Sequence, residues 1–477
     1  MTGRQKVSEL DDEFVGAELN DARRERRLVE LARALYEQPS ASFPDALRTD
    51  AALEAAYRLL RNEAVSADGI LAGHYEQTVR RASSEDFVLA VHDTTVFEFS
   101  GDSKREGLGP LRGKGQGFLA HVSLLVAAGE VRRPLGVVSL QTVVRKRRAR
   151  KRKGRPPADK RESVRWMKGV RATEALLQDR CSVVHVMDRE GDSYDIWADL
   201  IASSHRFVIR NSRRRWIADS TLCLADVLAT PTETIIERNV LLSPRRKKKA
   251  VLRRGFPLRA GRMARLAITA QSFTLRRPIR AAHPLTTIAV NVVHVREIET
   301  HGDEEPVEWT LVTTEPIDSP QAVERIVDAY RARWVIEEYF KVVKSGCAYE
   351  KRQLESFETL INALAIFIPI AWRLLLLRTL ARDADGDAPA TDALPHTQVE
   401  VLVATSKRRL PPNPTVRQAL QAIATLGGHI KNNGQPGWIV LARGYKKLLA
   451  FEEGWIAATR RKSRKKSSWP AQRSDQS

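Results

Sequence analysis

Two short apolar runs constrain this chain more than any other feature. Phe87-Val88-Leu89-Ala90-Val91 and Cys181-Ser182-Val183-Val184-His185-Val186-Met187 are continuous rather than alternating, the pattern of strands buried on both faces. Each runs into an aspartate, in His92-Asp93-Thr94-Thr95 and in Asp188-Arg189-Glu190. HVSLLVAAG (121–129) and PLGVVSLQTVV (134–144) read as antiparallel neighbours joined at Gly129, and a helix is predicted over 164–178,. Strands alternating with helices give an α/β class, in which functional groups gather where strands leave the sheet. Two carboxylates held close repel, and one takes up a proton unless a divalent cation sits between them. A single strand-end aspartate is more often a turn or cap residue, so a third element has to decide.

That element is the segment Tyr330-Arg331-Ala332-Arg333-Trp334-Val335-Ile336-Glu337-Glu338-Tyr339-Phe340-Lys341-Val342-Val343-Lys344. On a continuous α-helix, Tyr330, Arg333, Glu337 and Lys344 fall within an arc of roughly 60°. Ile336, Phe340 and Val343 form an adjoining apolar stripe that docks on a sheet. The polar stripe then borders the buried face, where one carboxylate meets a metal and cations meet phosphates. Taken alone, it reads as a salt-bridged surface helix.

The flanks carry charge. Lys and Arg number 79 against 58 Asp and Glu, a net +21, with a pI near 10.1. Such an excess destabilises a compact state unless an anionic partner relieves it, and nucleic acid is the commonest. At 477 residues two or three domains are expected,. Residues 1–75 read as helical, with Asp21 capping a helix buried through Leu28, Leu31 and Leu35,. Arg23, Arg24 and Arg27 lie on another face of it, and Arg58 and Arg61 on a later helix. They form either a solvated basic face or a DNA-docking surface. A region of mixed strands and helices is expected over 76–355, with β-rich sequence over about 205–313, and a mainly helical region over 356–477 ending in a disordered basic tail,.

Other signals exclude more than they assign. The apolar stretch Leu360–Leu376 contains Asn362, Pro369 and Arg373, which suits a buried helix and no membrane span,. The N-terminus has no apolar signal region, and Cys181, Cys223 and Cys347 form no CxxC pair, so a cytoplasmic protein with reduced thiols is expected,. Gly113-Lys114 lacks the rest of a phosphate loop, so no nucleotide cofactor is expected,. Arg145 to Arg155 holds nine basic residues in eleven and reads as a flexible loop, solvated or tracking phosphates; 245–249 reads the same way,. His121 and His185 lie on apolar strands and read as packing residues.

Tyr-x2-Arg-x3-Glu-x6-Lys, present as Tyr330, Arg333, Glu337 and Lys344, resembles the motif of the insertion-sequence-four group of bacterial transposases, relatives of the transposon-five enzyme. DARRERRL (21–28), AAYRLLRN (55–62), HDTT (92–95), MDREGD (187–192), LVTTEP (311–316) and LGGH (426–429) extend the resemblance over nearly the whole chain. It implies an RNase H-like mixed-sheet core with a β insertion, an N-terminal DNA-binding domain and a C-terminal dimerisation region. Asp93, Asp188 and Glu337 would then be the metal ligands, with Asp192 and Glu338 as competitors. Two Mg²⁺ ions, replaceable by Mn²⁺, would serve nicking, hairpin formation, hairpin opening and joining of 3′ ends to target DNA.

By the same resemblance Tyr330, Arg333 and Lys344 would hold DNA backbone, and the partners would be terminal inverted repeats, target DNA and a second subunit. Trp309 reads either as a core residue or as a platform for a flipped base,. The rival readings are an RNase H-like structure-selective endonuclease without a transfer step, and an inactive DNA-binding relic.

Overall fold

The computed structural model describes residues 10–99, 104–111, 115–129, 131–146, 164–178, 180–230, 233–242, 260–299, 306–382, 387–406, 409–430 and 436–467. Gly113-Lys114, residues 147–155 of the basic run and the 245–249 cluster lie outside them.

Four helices open the chain: α1 (Ala22–Glu37), α2 (Phe43–Ala46), α3 (Asp50–Arg61) and α4 (Ala67–Ala82). Asp21, Ser42, Thr49 and Ser66 cap them by accepting backbone N–H groups, each cap contributing about 1 kcal/mol. Leu28, Leu31 and Leu35 are buried, as the α1 spacing predicts. α4 runs unbroken through residue 75.

The strands follow as β1 (Phe87–Phe99), β2 (Gly109–Pro110), β3 (Gln116–Ala127) and β4 (Pro134–Val143), then α5 (Val164–Leu177), β5 (Ser182–Met187), α6 (Tyr194–Ala202) and β6 (Arg206–Asn211). β1, β3 and β4 form an antiparallel meander, and β5 and β6 join β1 in parallel. The order β4-β3-β1-β5-β6 is the RNase H-like mixed sheet. Past α7 (Leu224–Leu228), strands β7 (Ile236–Leu242), β8 (Arg262–Arg276), β9 (Thr287–Glu297) and β10 (Glu308–Thr313) pair onward from β6. The β-rich region is thus no separate layer: it extends the central sheet through the β6–β10 pairing.

β1 differs from its expectation. It does not end at Asp93 but continues to Phe99. The apolar run stops earlier because β5 accompanies β1 only to His92, while β3 pairs with it to Phe99. Beyond His92 the strand is covered less evenly, and its burial alternates along Thr95 to Phe99,.

α8 (Pro320–Ala332), α9 (Trp334–Lys341), α10 (Phe357–Arg382), α11 (His396–Thr405), α12 (Val416–Leu426) and α13 (Trp438–Ser467) complete the chain. The continuous helix expected over 330–344 is interrupted at Arg333 and opens into a π turn over Val342–Gly346, where Cys347 N–H donates to Val342 C=O at 2.8 Å. Such turns occur often at functional sites.

Among the described residues α10 is long and apolar enough to cross a membrane, yet 94% of its apolar window is buried inside the protein. Asn362 on α10 donates to Leu60 and Val65 carbonyls at 3.1 Å, and Arg373 Nε donates to Tyr36 Oη at 2.8 Å. Tyr36 in turn meets Tyr445 of α13 at 2.6 Å, so N- and C-terminal helices share one core. The basic tail, expected as disordered, is helical to Ser467. Lys and Arg are good helix formers, and no Gly or Pro interrupts 455–467,.

Candidate active site

Parallel pairing places His92 of β1 opposite Met187 of β5, so the next residues, Asp93 and Asp188, are neighbours. Alternation then decides which way they point. Val88 and Ala90 pack with Leu177 of α5, whereas Leu89 and Val91 pack with Val323 and Ile336 on the other face. Val184 and Val186 share that second face. Asp93 and Asp188 are in phase with it, toward α8 and α9.

Each aspartate is held locally. Asp93 Oδ1 accepts Thr94 N–H at 2.7 Å, and Asp188 Oδ1 accepts Glu190 N–H at 2.7 Å as β5 turns away. That turn requires Gly191, where a Cβ would approach Met187 Cβ to 2.7 Å.

The helix break brings Arg333 in from the opposite side. Its Nη2 donates to Glu337 Oε1 at 2.6 Å and its Nη1 lies 3.5 Å from Asp93 Oδ2. The Asp93 and Arg333 side chains are 14% and 13% exposed, and Glu337 is 32% exposed, so the cluster opens at one end. Burial, then the Asp188 charge, pushes the Asp93 carboxyl up to about 7, against the pull of Thr94 N–H and Arg333. Burial opposes the Arg333 charge, but Glu337, Tyr330 and Asp93 outweigh it and hold the guanidinium above its ordinary value. Three carboxyl groups and no nitrogen or sulfur donor make an oxygen-rich site, the donor set that suits a hard divalent cation. Asp93, Asp188 and Glu337 are the residues that could hold it.

The competing carboxylates are occupied. Asp192 is fully buried, ion-paired to Arg215, and accepts Ser212 N–H at 2.6 Å and Ser212 Oγ–H at 3.1 Å. Glu338 accepts from Arg378 of α10 at 2.6 Å.

Of the other predicted residues, Tyr330 is 6% exposed and meets Trp309 edge-on, ring centroids 5.5 Å apart. Trp309 is half-buried on β10 and packs against the main core. Lys344 stands apart from the Asp93 cluster: within the π turn its Nζ donates to Val96 C=O at 2.6 Å and lies 3.6 Å from Glu350. Burial lowers its pKa, partly offset by Glu350. Arg23, Arg27, Arg58 and Arg61 are exposed and Arg24 is half-buried. Arg27 pairs with Glu30 at 2.8 Å, Arg58 with Glu54, and Arg61 with Glu355 at 3.2 Å.

Sequence reasoning missed Arg165 of α5. It is 8% exposed, donates to Thr94 Oγ1 at 2.9 Å and pairs with Glu190 at 3.0 Å, bracing β1 next to Asp93 and the turn after Asp188. Its signal was an arginine beside Trp166 on a helix otherwise buried through Met167, Gly169 and Val170.

Comparison with known families finds two matches. Residues 8–65 match the family described as Transposase DNA-binding, and residues 142–368 match the Transposase DDE domain. Asp188, Glu337 and Arg333 fall inside the second match and Asp93 lies before it. A cryo-EM structure of a piggyBac transposase synaptic complex with hairpin DNA aligns over 99% of this chain and 85% of its own, at 9% identity and a TM-score of 0.36.

Proposed function

We propose that this chain, with its transposase DNA-binding segment and its transposase DDE domain, is a cut-and-paste DNA transposase whose catalytic carboxylates are Asp93, Asp188 and Glu337. The observation that carries this is the meeting of Arg333 with Asp93 and Glu337, beside the register neighbour Asp188. Three half-buried carboxyls held close repel one another and weaken the fold unless a cation offsets their charge,. Divalent cations bound there, Mg²⁺ or Mn²⁺, would activate water and stabilise the leaving 3′ oxygen at phosphorus.

The protein's own residues supply position and charge. Thr94 and Glu190 N–H groups orient two carboxylates, and Arg165 stiffens the strand beside one and the turn after the other. Once cations take over the charge of Asp93 and Glu337, the Arg333 fork that now meets them would be released to a DNA phosphate,. Tyr330 lies beneath it and Lys344 further along β1, where each can steady the backbone of the cleaved strand. Exposed Arg23, Arg27, Arg58 and Arg61, with Arg24, would grip the terminal repeats through their phosphates. A nick, a hairpin closed by the freed 3′-OH, its opening, and joining to target DNA are all in-line displacements that one such site can perform. Two copies of the chain would synapse two ends.

The test is labelled DNA carrying the inverted repeats that flank the gene, incubated with wild type or Glu337→Ala, with and without Mg²⁺. Metal-dependent nicks at the repeat boundary followed by hairpins, absent from the variant, would support the reading. Nicks without hairpins or joining would favour a structure-selective endonuclease, and binding without cleavage a relic.

A further inference from the structure

On the sheet face opposite Asp93, three side chains from different elements converge. Glu174 of α5 places Oε1 2.8 Å from Nε2 of His185 on β5 and 3.3 Å from Nδ1 of His205, just before β6. One ligand atom from each lies within 4.8 Å of the other two. A tetrahedral Zn²⁺ with bonds of about 2.0–2.2 Å holds its ligand atoms roughly 3.3 Å apart, a spacing that both histidines approach relative to Glu174. His205 is set by its backbone: Ser204 takes φ +56°, and His205 N–H donates to Leu200 C=O at 2.9 Å.

The surroundings of His185 strengthen the case. Its Nδ1 lies 2.8 Å from His92 Nε2, and His92 Nδ1 lies 2.8 Å from Ser123 Oγ. All three residues are fully buried. This chain can be protonated in two directions. In one, Ser123 donates to His92, His92 to His185, and His185 Nε2–H to Glu174. In the other, His185 Nδ1–H donates to His92 and His92 Nδ1–H to Ser123, leaving His185 Nε2 a free lone pair aimed at Glu174. The second direction is how a metal-bound imidazole is supported, its other N–H held by a buried acceptor. Glu174 is 31% and His205 23% exposed, which leaves a path for an ion from solvent.

We propose that Glu174, His185 and His205 form a second metal site, separate from the carboxylate cluster, that takes Zn²⁺ or a similar imidazole-binding divalent ion. Two nitrogen donors select against Mg²⁺. The ion would tie α5, which carries Arg165, to β5 and the α6–β6 turn, stapling the scaffold behind the aspartate pair.

The test uses the full chain bearing Asp93→Asn, Asp188→Asn and Glu337→Gln, so that the carboxylate cluster no longer competes. Titration with Co²⁺ should give the visible d–d band of a tetrahedral ion, saturating at one ion per chain and displaced by Zn²⁺. Adding His205→Ala should abolish the band, and Zn²⁺ should raise the thermal midpoint of the parent but not of that variant. A Glu174→Gln variant, which keeps a hydrogen-bonding side chain, should likewise lose the ion while retaining its fold by circular dichroism. No tetrahedral band in the parent, or an equal band in both variants, would overturn the site and leave Glu174 as a hydrogen-bond anchor only.

Discussion

Arg333 and Asp93 meet across the space between a helix break and a central strand, Nη1 to Oδ2 at 3.5 Å. Arg333 also donates to Glu337, so one guanidinium links carboxylates that arrive from two sides. We predict that Arg333→Ala lowers DNA cleavage by about 10²–10³, the usual cost of deleting one charge-stabilising donor. Arg333→Lys should recover only part, because an ammonium lacks the fork. Single-turnover cleavage under saturating DNA measures both; unchanged rates would remove Arg333 from the site.

The raised Asp93 carboxyl makes a prediction about pH. Its folded value of about 7 lies above the unfolded one, so the folded protein holds the extra proton between roughly pH 4 and pH 7,. Metal-free protein therefore loses stability as pH rises through that window, on the order of 2–4 kcal/mol at most. Asp93→Asn should flatten the dependence. Cation binding should release a proton near neutrality and cleavage should fall below pH 7. Melts with chelator from pH 4 to 8, for both proteins, test the sign.

Asp188 and Asp192 should separate cleanly. Asp188→Asn should abolish cleavage and leave the metal-free melt unchanged or raised, since a repelling charge is removed. Asp192→Asn weakens a buried ion pair with Arg215 and should destabilise by about 3–5 kcal/mol, with cleavage surviving at low temperature. The opposite pattern would make Asp192 the ligand.

Trp309 rests edge-on against Tyr330, beside the helix that carries Arg333 and Glu337. Trp309→Ala should impair hairpin formation more than first-strand nicking, as loss of a base-stacking platform worth about 1–3 kcal/mol requires. Equal losses in both steps would return Trp309 to a packing role.

Arg23, Arg27, Arg58 and Arg61 are exposed, and Arg27 and Arg58 pair with exposed glutamates of their own helices. Replacing Arg23 or Arg58 with Ala should weaken binding to the terminal repeats and lower the salt slope by about one unit each. Stability should be unchanged. A binding constant that ignores both replacements would move the DNA contact elsewhere.

Much of this was legible because it depends on local periodicity. The runs at 87–91 and 181–187, the Asp21 cap and the stripe Ile336, Phe340 and Val343 follow from side-chain spacing and capping chemistry. Less legible was any feature that depends on which strand lies beside which. β1 outlasts its apolar run because β3 outlasts β5 as its neighbour. Lys344 leaves the Glu337 stripe because a π turn intervenes. His185 reads as a packing residue until Glu174, 11 positions away, and His92, 93 positions away, are brought against it.

The sequence by itself determined most of the element types, the net charge that calls for an anionic partner, and the carboxylates as candidates. Which carboxylates share one sheet face, and which are engaged elsewhere, came only from the tertiary structure. A strand's side chains alternate by geometry, but the face that Asp93 and Asp188 share, and the engagement of Asp192 with Arg215, arise from contacts between segments far apart in the chain. Such contacts are set by packing of the whole sheet and helix layer, which no local window of sequence contains.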